Sequence, residues 1–399
     1  MSVASGPYIA TNGLVFAYDM GNPERSWEGA PTTNFYSNGQ FAGGTGMPQE
    51  SGSNPTNTVI SSPNNPGNSG YVLEQSMGIA ATEYQIDLTT QLLPSTTYVL
   101  SGWYAESPDY SCADGSRMFH CRAFSASGNN VALGTGIGTV ITTTVINGIT
   151  WKYCYATLTT PSDYNNLFNW YLGYGPSSYT GKRYYTNIQM ELGSYPNRFV
   201  DGTRSNTQAL LDLTGGRIIT ANSLTYASNN TFSFNGTTDF LTIPTISLGN
   251  GNLPWTVSAW VKTTTDATGL GQGSIMSNLS GGPVYSALCV NSGKIAYWTY
   301  QNSAWAQKLG VGTTVNNNAW HLLTWVNNSN STMAMYVDGV LDSNVANSTS
   351  GNNNPIDTIG NSWNAKFAGS ISSVQVYNVA LTAEQVALNF NAYRGRYGV

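Results

Sequence analysis

The chain has 399 residues, of which 40% are hydrophobic and 12% aromatic, yet only 9% are charged, against roughly 25% in ordinary globular proteins. Its 15 Lys+Arg and 20 Asp+Glu give a thinly spread net charge of -5, which excludes a phosphate-neutralising nucleic-acid surface and a polybasic membrane anchor. No run of about 18 apolar residues is present to span a bilayer, and 25 Tyr with 11 Trp exclude a disordered chain.

The length predicts two or three domains. Asn, Ser, Thr, Gln and Gly have to supply solubility, and the wealth of Thr, Tyr and Trp points to strands rather than helices. Residues 12–19 read as one strand, followed by turn chemistry at Gly21-Asn22-Pro23 and Gly29-Ala30-Pro31. One strand is not a domain, so it has to pair with something later. Residues 34–70, rich in Gly, Asn, Ser and Pro, are expected to hold short strands or ligand-facing loops, because a bare loop of that length is rare. From 98 to 105 the sequence alternates, with Tyr98, Leu100 and Tyr104 on one face and Val99, Trp103 and Ala105 on the other. From 151 to 158, Trp151, Tyr153 and Tyr155 share a face, opposite Lys152, Cys154, Ala156 and Leu158. The nearly continuous apolar run 167–174 predicts a strand covered on both sides. Over 184–192, alternation assigns Tyr184, Ile188, Met190 and Leu192 to the core and Tyr185, Asn187, Gln189 and Glu191 to the opposite face.

After a short apolar run at Ala209–Leu213 a second β-rich block begins. It predicts strands at 231–235, 239–243, 255–263, 284–290, 294–300, 319–327, 333–337, 356–359 and 367–377. Asp338-Gly339 signals a two-residue hairpin, and Asn291-Ser292-Gly293 a second one. One helix is predicted near the C-terminus. Thr382 and Gln385 form a capping box, Val386 and Phe390 lie on one face, and Gly395 reads as the stop. The expected fold class is all-β, as two antiparallel jelly-roll β-sandwiches with one short C-terminal helix.

Four cysteines do not form a disulfide framework in so long a chain, and none has zinc-ligand spacing. Cys112, Cys121 and Cys154 leave one disulfide open, with buried free thiols as the other reading. His120 and His321 read as structural, and no H-E-x-x-H, G-x-S-x-G or Walker loop occurs. The glycine-containing runs at 134–138, 175–182 and 269–273 miss the nucleotide-binding spacings.

The stretches Phe234-Asn235-Gly236-Thr237-Thr238-Asp239-Phe240-Leu241 and Trp255-Thr256-Val257-Ser258-Ala259-Trp260-Val261-Lys262 resemble a concanavalin-A-like, laminin-G-type jelly roll. Met335-Tyr336-Val337-Asp338-Gly339, Phe367-Ala368-Gly369-Ser370-Ile371 and the run from Val374 to Glu384 carry the same resemblance. The ending Asn389–Gly398 and the opening Gly13–Asp19 with Gly21-Asn22-Pro23 resemble the ends of such domains in bacteriophage structural proteins. The resemblance implies a split domain, with residues 1–31 joining 205–399 around an insert at 32–204. Asn187-Ile188-Gln189-Met190-Glu191-Leu192-Gly193, followed by Pro196, Phe199 and Asp201-Gly202-Thr203, makes the insert similar to carbohydrate-binding-module jelly rolls of phage tail and fibre proteins.

These resemblances imply a non-enzymatic virion protein of the tail fibre, tip or baseplate, assembled in the host cytoplasm, touching other virion proteins and host cell-surface glycans. A homotrimer follows by analogy with fibres, and no Sec-type signal is visible from Met1 to Tyr8. The alternatives are a capsid decoration or head-fibre protein, a secreted glycan-binding adhesin, and a jelly-roll polysaccharide hydrolase. A hydrolase needs paired carboxylates on one strand face. Glu83 and Asp87 are four apart with Gln85 between them, and Glu191 has no acidic neighbour two residues away.

Aromatic rings stack on sugar faces while amides and carboxylates bond the hydroxyls. The candidates in the insert are Trp103, Tyr153, Tyr155, Asn187, Gln189 and Glu191, and in the second block Trp298, Tyr300, Trp305 and Trp363, near loop ends. The same residue types also serve as sandwich core or as protein interface. Trp255, Trp260, Trp320 and Trp325 lie within predicted strands and are assigned to the core. No cofactor is expected. The laminin-G resemblance implies calcium as an option, with Asp239 and Asp357 as candidate ligands and Asp338 explained by its turn.

Overall fold

The computed structural model describes residues 8–22, 25–36, 38–41, 50–51, 56–62, 64–67, 69–76, 83–85, 88, 90–112, 118–133, 136–173, 179–227, 231–249, 253–269, 272–279, 285–301, 304–328, 332–346, 355–362 and 365–399. Trp363, Asp87 and Tyr174 lie outside these residues. Among the described residues the fold is β except for one helix near the C-terminus, and every strand pair is antiparallel. Two compact units form, one from Met1–Ala30 with Ser205–Val399, the other from Pro31–Arg204.

The first unit is a sandwich of an eight-stranded and a seven-stranded sheet. In the larger sheet the long strand Ala368–Tyr377 is central. One of its edges pairs along its length with Trp255–Lys262. Two strands share its other edge, Thr231–Asn235 against Ala368–Ile371 and Leu14–Asp19 against Ser373–Tyr377. The apolar positions of both sheets meet between them, with Phe16, Tyr18, Trp255, Ile295, Tyr297 and Trp325 in one buried cluster. The predicted hairpins form, with Val337 opposite Val340 and Asn291 opposite Lys294.

Five further strands of this unit escape the sequence pattern, among them Thr220–Asn222 and Thr225–Ala227, of three residues each. Ser274–Ser277 is short and half serine, Ala304–Leu309 is an edge strand, and Val340–Ala346 is largely solvated on leaving its turn. The helix Ala383–Tyr397 begins with the reciprocal Thr382–Gln385 capping box. It runs through Gly395 rather than stopping there, and Gly398, at φ 73°, supplies the left-handed cap. Trp260 turns away from the inter-sheet core and stacks on Tyr397 and Phe390, at 4.2 and 5.7 Å between centroids. Trp320 is likewise helix-facing, half-buried at 4.8 Å from the Tyr397 ring. Arg396 pairs at 2.5 Å with the buried Asp19 carboxylate.

The second unit packs a six-stranded sheet against a five-stranded one. Tyr98, Leu100, Tyr104, Cys121, Trp170 and Met190 lie in the core between them. The alternation over 184–192 is overturned at its start by a β-bulge. The register against Thr97–Glu106 shifts between Thr186 and Gln189, and Asn187 sits at φ 52°. One extra residue flips all positions on one side of it. Tyr185 therefore joins the core with Ile188, while Tyr184 packs on Trp151 on the opposite face. Leu192, at the strand end, is exposed. The strand Tyr164–Leu172 is not covered on both sides either, since Asn165, Asn166 and Leu167 face solvent.

All four cysteines are free thiols, so the disulfide reading is corrected. Burial pushes the Cys154 thiol up to about 12, and those of Cys121 and Cys289 well up from their ordinary value. In the native protein a thiol reagent such as DTNB is expected to titrate Cys112 alone, and all four after unfolding in denaturant. Arg396→Met leaves a buried carboxylate unpaired and is expected to lower unfolding free energy by about 3 kcal/mol in urea titration.

Candidate functional site

Both sandwiches carry aromatic residues on an outer sheet face. In the second unit, cross-strand register sets Tyr153 opposite Trp103, Tyr155 opposite Ser101, Gln189 opposite Ser101 and Glu191 opposite Val99. Trp103, Tyr153, Tyr155, Gln189 and Glu191 thus share the face turned away from the core. The rings are half-buried, with Trp103 and Tyr153 at 5.3 Å and Tyr155 against Tyr195 at 5.3 Å. The polar members are enclosed. Glu191 accepts the Asn197 backbone N–H at 2.7 Å and its side-chain amide at 2.8 Å. Gln189 donates to Glu191 at 2.6 Å and accepts the Val200 N–H at 2.7 Å. Both residues are 0% exposed. Asn187, in the bulge, donates to the Gly67 carbonyl at 3.1 Å. These polar groups therefore clamp the segment 197–200 and a loop at Gly67, and do not line an open face.

The first unit offers a more open arrangement. In the strand Lys294–Gln301, Ile295 and Tyr297 enter the core, so Trp298 and Tyr300 face outward. The turn at Ser292-Gly293, with φ 49° and 70°, fixes Asn291 against Lys294. That register sets Tyr285 opposite Tyr300 and Ala287 opposite Trp298. On the other side Tyr300 pairs with Trp305 and Trp298 with Gln307. The result is a cross-strand strip, Tyr285–Tyr300–Trp305, with ring centroids 4.8 Å apart for Tyr300–Trp305 and 5.1 Å for Tyr285–Trp305. Exposure rises along it, from 1% at Tyr285 to 39% at Trp305.

Tyr285 anchors the strip. It is 1% exposed, and burial pushes its phenol up to about 12, so it keeps its proton. The exposed Gln307 is steadied by a 2.9 Å bond from its amide to Asn291 Oδ1. Three of the sequence candidates, Trp298, Tyr300 and Trp305, are thus brought together. Tyr285 and Gln307 were missed, although the Asn291-Ser292-Gly293 turn already implies the Tyr285–Tyr300 pairing.

The calcium candidates are not brought together. Asp239 accepts the Asn235 N–H at 3.0 Å and the Thr238 hydroxyl at 2.9 Å, as a turn residue. Asp357 accepts the Leu279 N–H at 2.9 Å. Among the described residues no group of three or more His, Cys, Asp or Glu is placed to hold a metal ion. His321 is fixed between Asp338 at 2.7 Å and Asn317 at 3.0 Å, a structural histidine tying a hairpin turn to its neighbour.

Residues 235–387, which include the strip, match a family model described as the concanavalin A-like lectin/glucanases superfamily. No curated protein matches the chain. Among solved structures the chain is similar to the receptor-binding domain of botulinum neurotoxin C/D mosaic serotype, with 16% identity and a TM-score of 0.36 over 47% of this chain and 49% of that one. It is similar to domain 4 of AbnA, a GH43 extracellular arabinanase from Geobacillus stearothermophilus, with 21% identity and a TM-score of 0.37 over 46% of this chain and 91% of that one. The binding domain of Paraclostridial Mosquitocidal Protein 1 aligns with 13% identity and a TM-score of 0.35 over 46% and 49%. The chain thus spans about half the length of the toxin chains it matches.

The clamp at Glu191 is directly testable. Glu191→Ala leaves the Asn197 and Gln189 donors unpaired and is expected to destabilise the protein by about 3 kcal/mol in chemical denaturation. A change within about 0.5 kcal/mol, as at an ordinary surface site, would show a solvated face instead.

Proposed function

We propose that the protein binds glycans without transforming them, and that the Tyr285–Tyr300–Trp305 strip, with Trp298 and Gln307 beside it, is the recognition surface. The observation carrying this reading is the graded ladder itself, three rings in register on three adjacent strands, buried at one end and exposed at the other. Rings fixed by strand pairing lose little conformational freedom on binding. They offer flat apolar surface to the C–H face of a sugar ring, while Gln307 supplies an amide for hydroxyls. The lectin/glucanase superfamily match over this unit supports the reading. The non-enzymatic part rests on the strip's chemistry, which is aromatic and amide where a hydrolase needs two facing carboxylates.

In its finer form the proposal places the protein in a bacteriophage particle, as a tail fibre, tip or baseplate component in contact with other virion proteins and with host cell-surface glycans. This placement rests on the sequence resemblance of the segments 13–23 and 389–398. Immunogold labelling of particles with antibody to the protein tests it, and unlabelled particles overturn it.

Binding of the full-length protein to immobilised bacterial polysaccharides tests the recognition surface. Trp305→Ala is expected to weaken binding about tenfold, equivalent to about 1.4 kcal/mol. The thermal midpoint should stay unchanged, because the ring is partly solvated. Undiminished binding by this variant would overturn the assignment of the strip.

A further inference from the structure

A cleft of about 330 Å³ opens in the second unit, lined by Tyr104, Glu106, Tyr110, Thr150 and Lys152 among others. Lys152 pairs in register with Tyr104, and Trp151 with Ala105, so the register carries Thr150 opposite the position of Glu106 and sets Lys152 diagonal to it. Tyr104 is a core residue, and by strand alternation Glu106 and Lys152 share its inward face, where the apolar packing gives way to polar side chains. The Tyr104 hydroxyl donates to Glu106 Oε1 at 2.7 Å.

Two features set this cleft apart from an ordinary gap in packing. Glu106 and Lys152 carry opposite charges on neighbouring strands, yet among the described residues neither is in an ion pair. The polar row also continues inward. Arg183 pairs in register with Glu106, and Gln75 with Arg183, at 1% and 0% exposure. Gln75 donates to the Leu172 carbonyl at 3.1 Å, while its own Oε1 has no hydrogen-bond partner. A buried amide oxygen left without a donor opposes folding.

We infer that this cleft is a second sugar site, one that takes a single pyranose by its hydroxyls. An ammonium and a carboxylate lining one cleft without pairing favour a ligand that accepts from one and donates to the other, and every sugar hydroxyl does both. Burial pushes the Tyr110 phenol up to about 12, and that of Tyr104 far up with added repulsion from Tyr185 and Glu106, so both hydroxyls keep their protons. The volume of about 330 Å³ lies at the lower end of the small-molecule range, in keeping with a ligand of one ring. The site extends the glycan-binding reading to the other unit but rests on different residues, so each can fail alone.

The test uses the full-length protein with free glucose, galactose, mannose and N-acetylglucosamine, followed by ligand-observed NMR and calorimetry. Saturable binding of at least one is expected, weakened tenfold or more by Glu106→Gln and by Lys152→Met. Free-sugar binding that persists in Trp305→Ala and is lost in Glu106→Gln is the binding that belongs to the cleft. Thr150→Val, a change at the cleft wall with nearly conserved volume, gives a second reading should Glu106→Gln alter folding by circular dichroism. The inference is overturned if none of the four sugars binds. It is equally overturned if the cleft variants leave binding intact, or if free glycine or glutamate binds there in place of the sugars.

Discussion

The first unit depends on the pairing of Leu14–Asp19 with Ser373–Tyr377. The central strand Ala368–Tyr377 is longer than Thr231–Asn235, which covers only one half of its edge. Without the opening strand the other half would expose a row of unpaired backbone donors and acceptors, together with the pocket that Phe16 and Tyr18 fill in the core. Its far side is held as well. Asp212 accepts the Ala17 N–H at 3.1 Å, and Leu213 donates to the Ala17 carbonyl at 2.8 Å. Asp19 closes the end, accepting from Gly21 and pairing with Arg396 of the helix. The helix in turn covers Trp260 on the back of the sheet, so the first and last elements of the chain stabilise one another.

The features legible in the sequence are those with a local cause. The capping box at Thr382 and Gln385, the Asp338-Gly339 turn and the Ser292-Gly293 turn act through neighbours a few residues away. Alternation over 98–105 and 151–158 likewise assigns faces, because neither stretch contains a bulge. The stretch 184–192 contains one, and no residue there announces it, since Asn187 fits an alternating pattern as well as a left-handed kink. The helix runs past Gly395 because the Tyr397 ring, packed on Trp260, rewards the extra half turn.

The candidate sites show the same division. Residue types singled out Trp298, Tyr300 and Trp305, and hairpin register brings them together. Gln189 and Glu191 do lie on the outer face, but the segment 197–200 folds over them through bonds that alternation cannot foresee. The two outer faces therefore begin from similar strand patterns and end differently, one sealed by its own chain and one presenting graded rings. In a chain with so few charges, amide and hydroxyl groups make the closures that ion pairs make elsewhere.

The clamp at the ends of the second unit, where Thr32 and Thr33 pair with Arg204 and Thr203, has a kinetic consequence. Residues 14–19 emerge from the ribosome first, and their partner 373–377 follows, at ordinary elongation rates, after tens of seconds. In that interval the residues 31–204 are already synthesised and can close on themselves. Once they do, their two ends sit side by side, and about half of the loop between the pairing strands drops out of the closure entropy, a saving of about 0.6 kcal/mol. Vectorial synthesis thus turns the middle of the chain into a folded tether that holds the waiting strand near the sheet it will join.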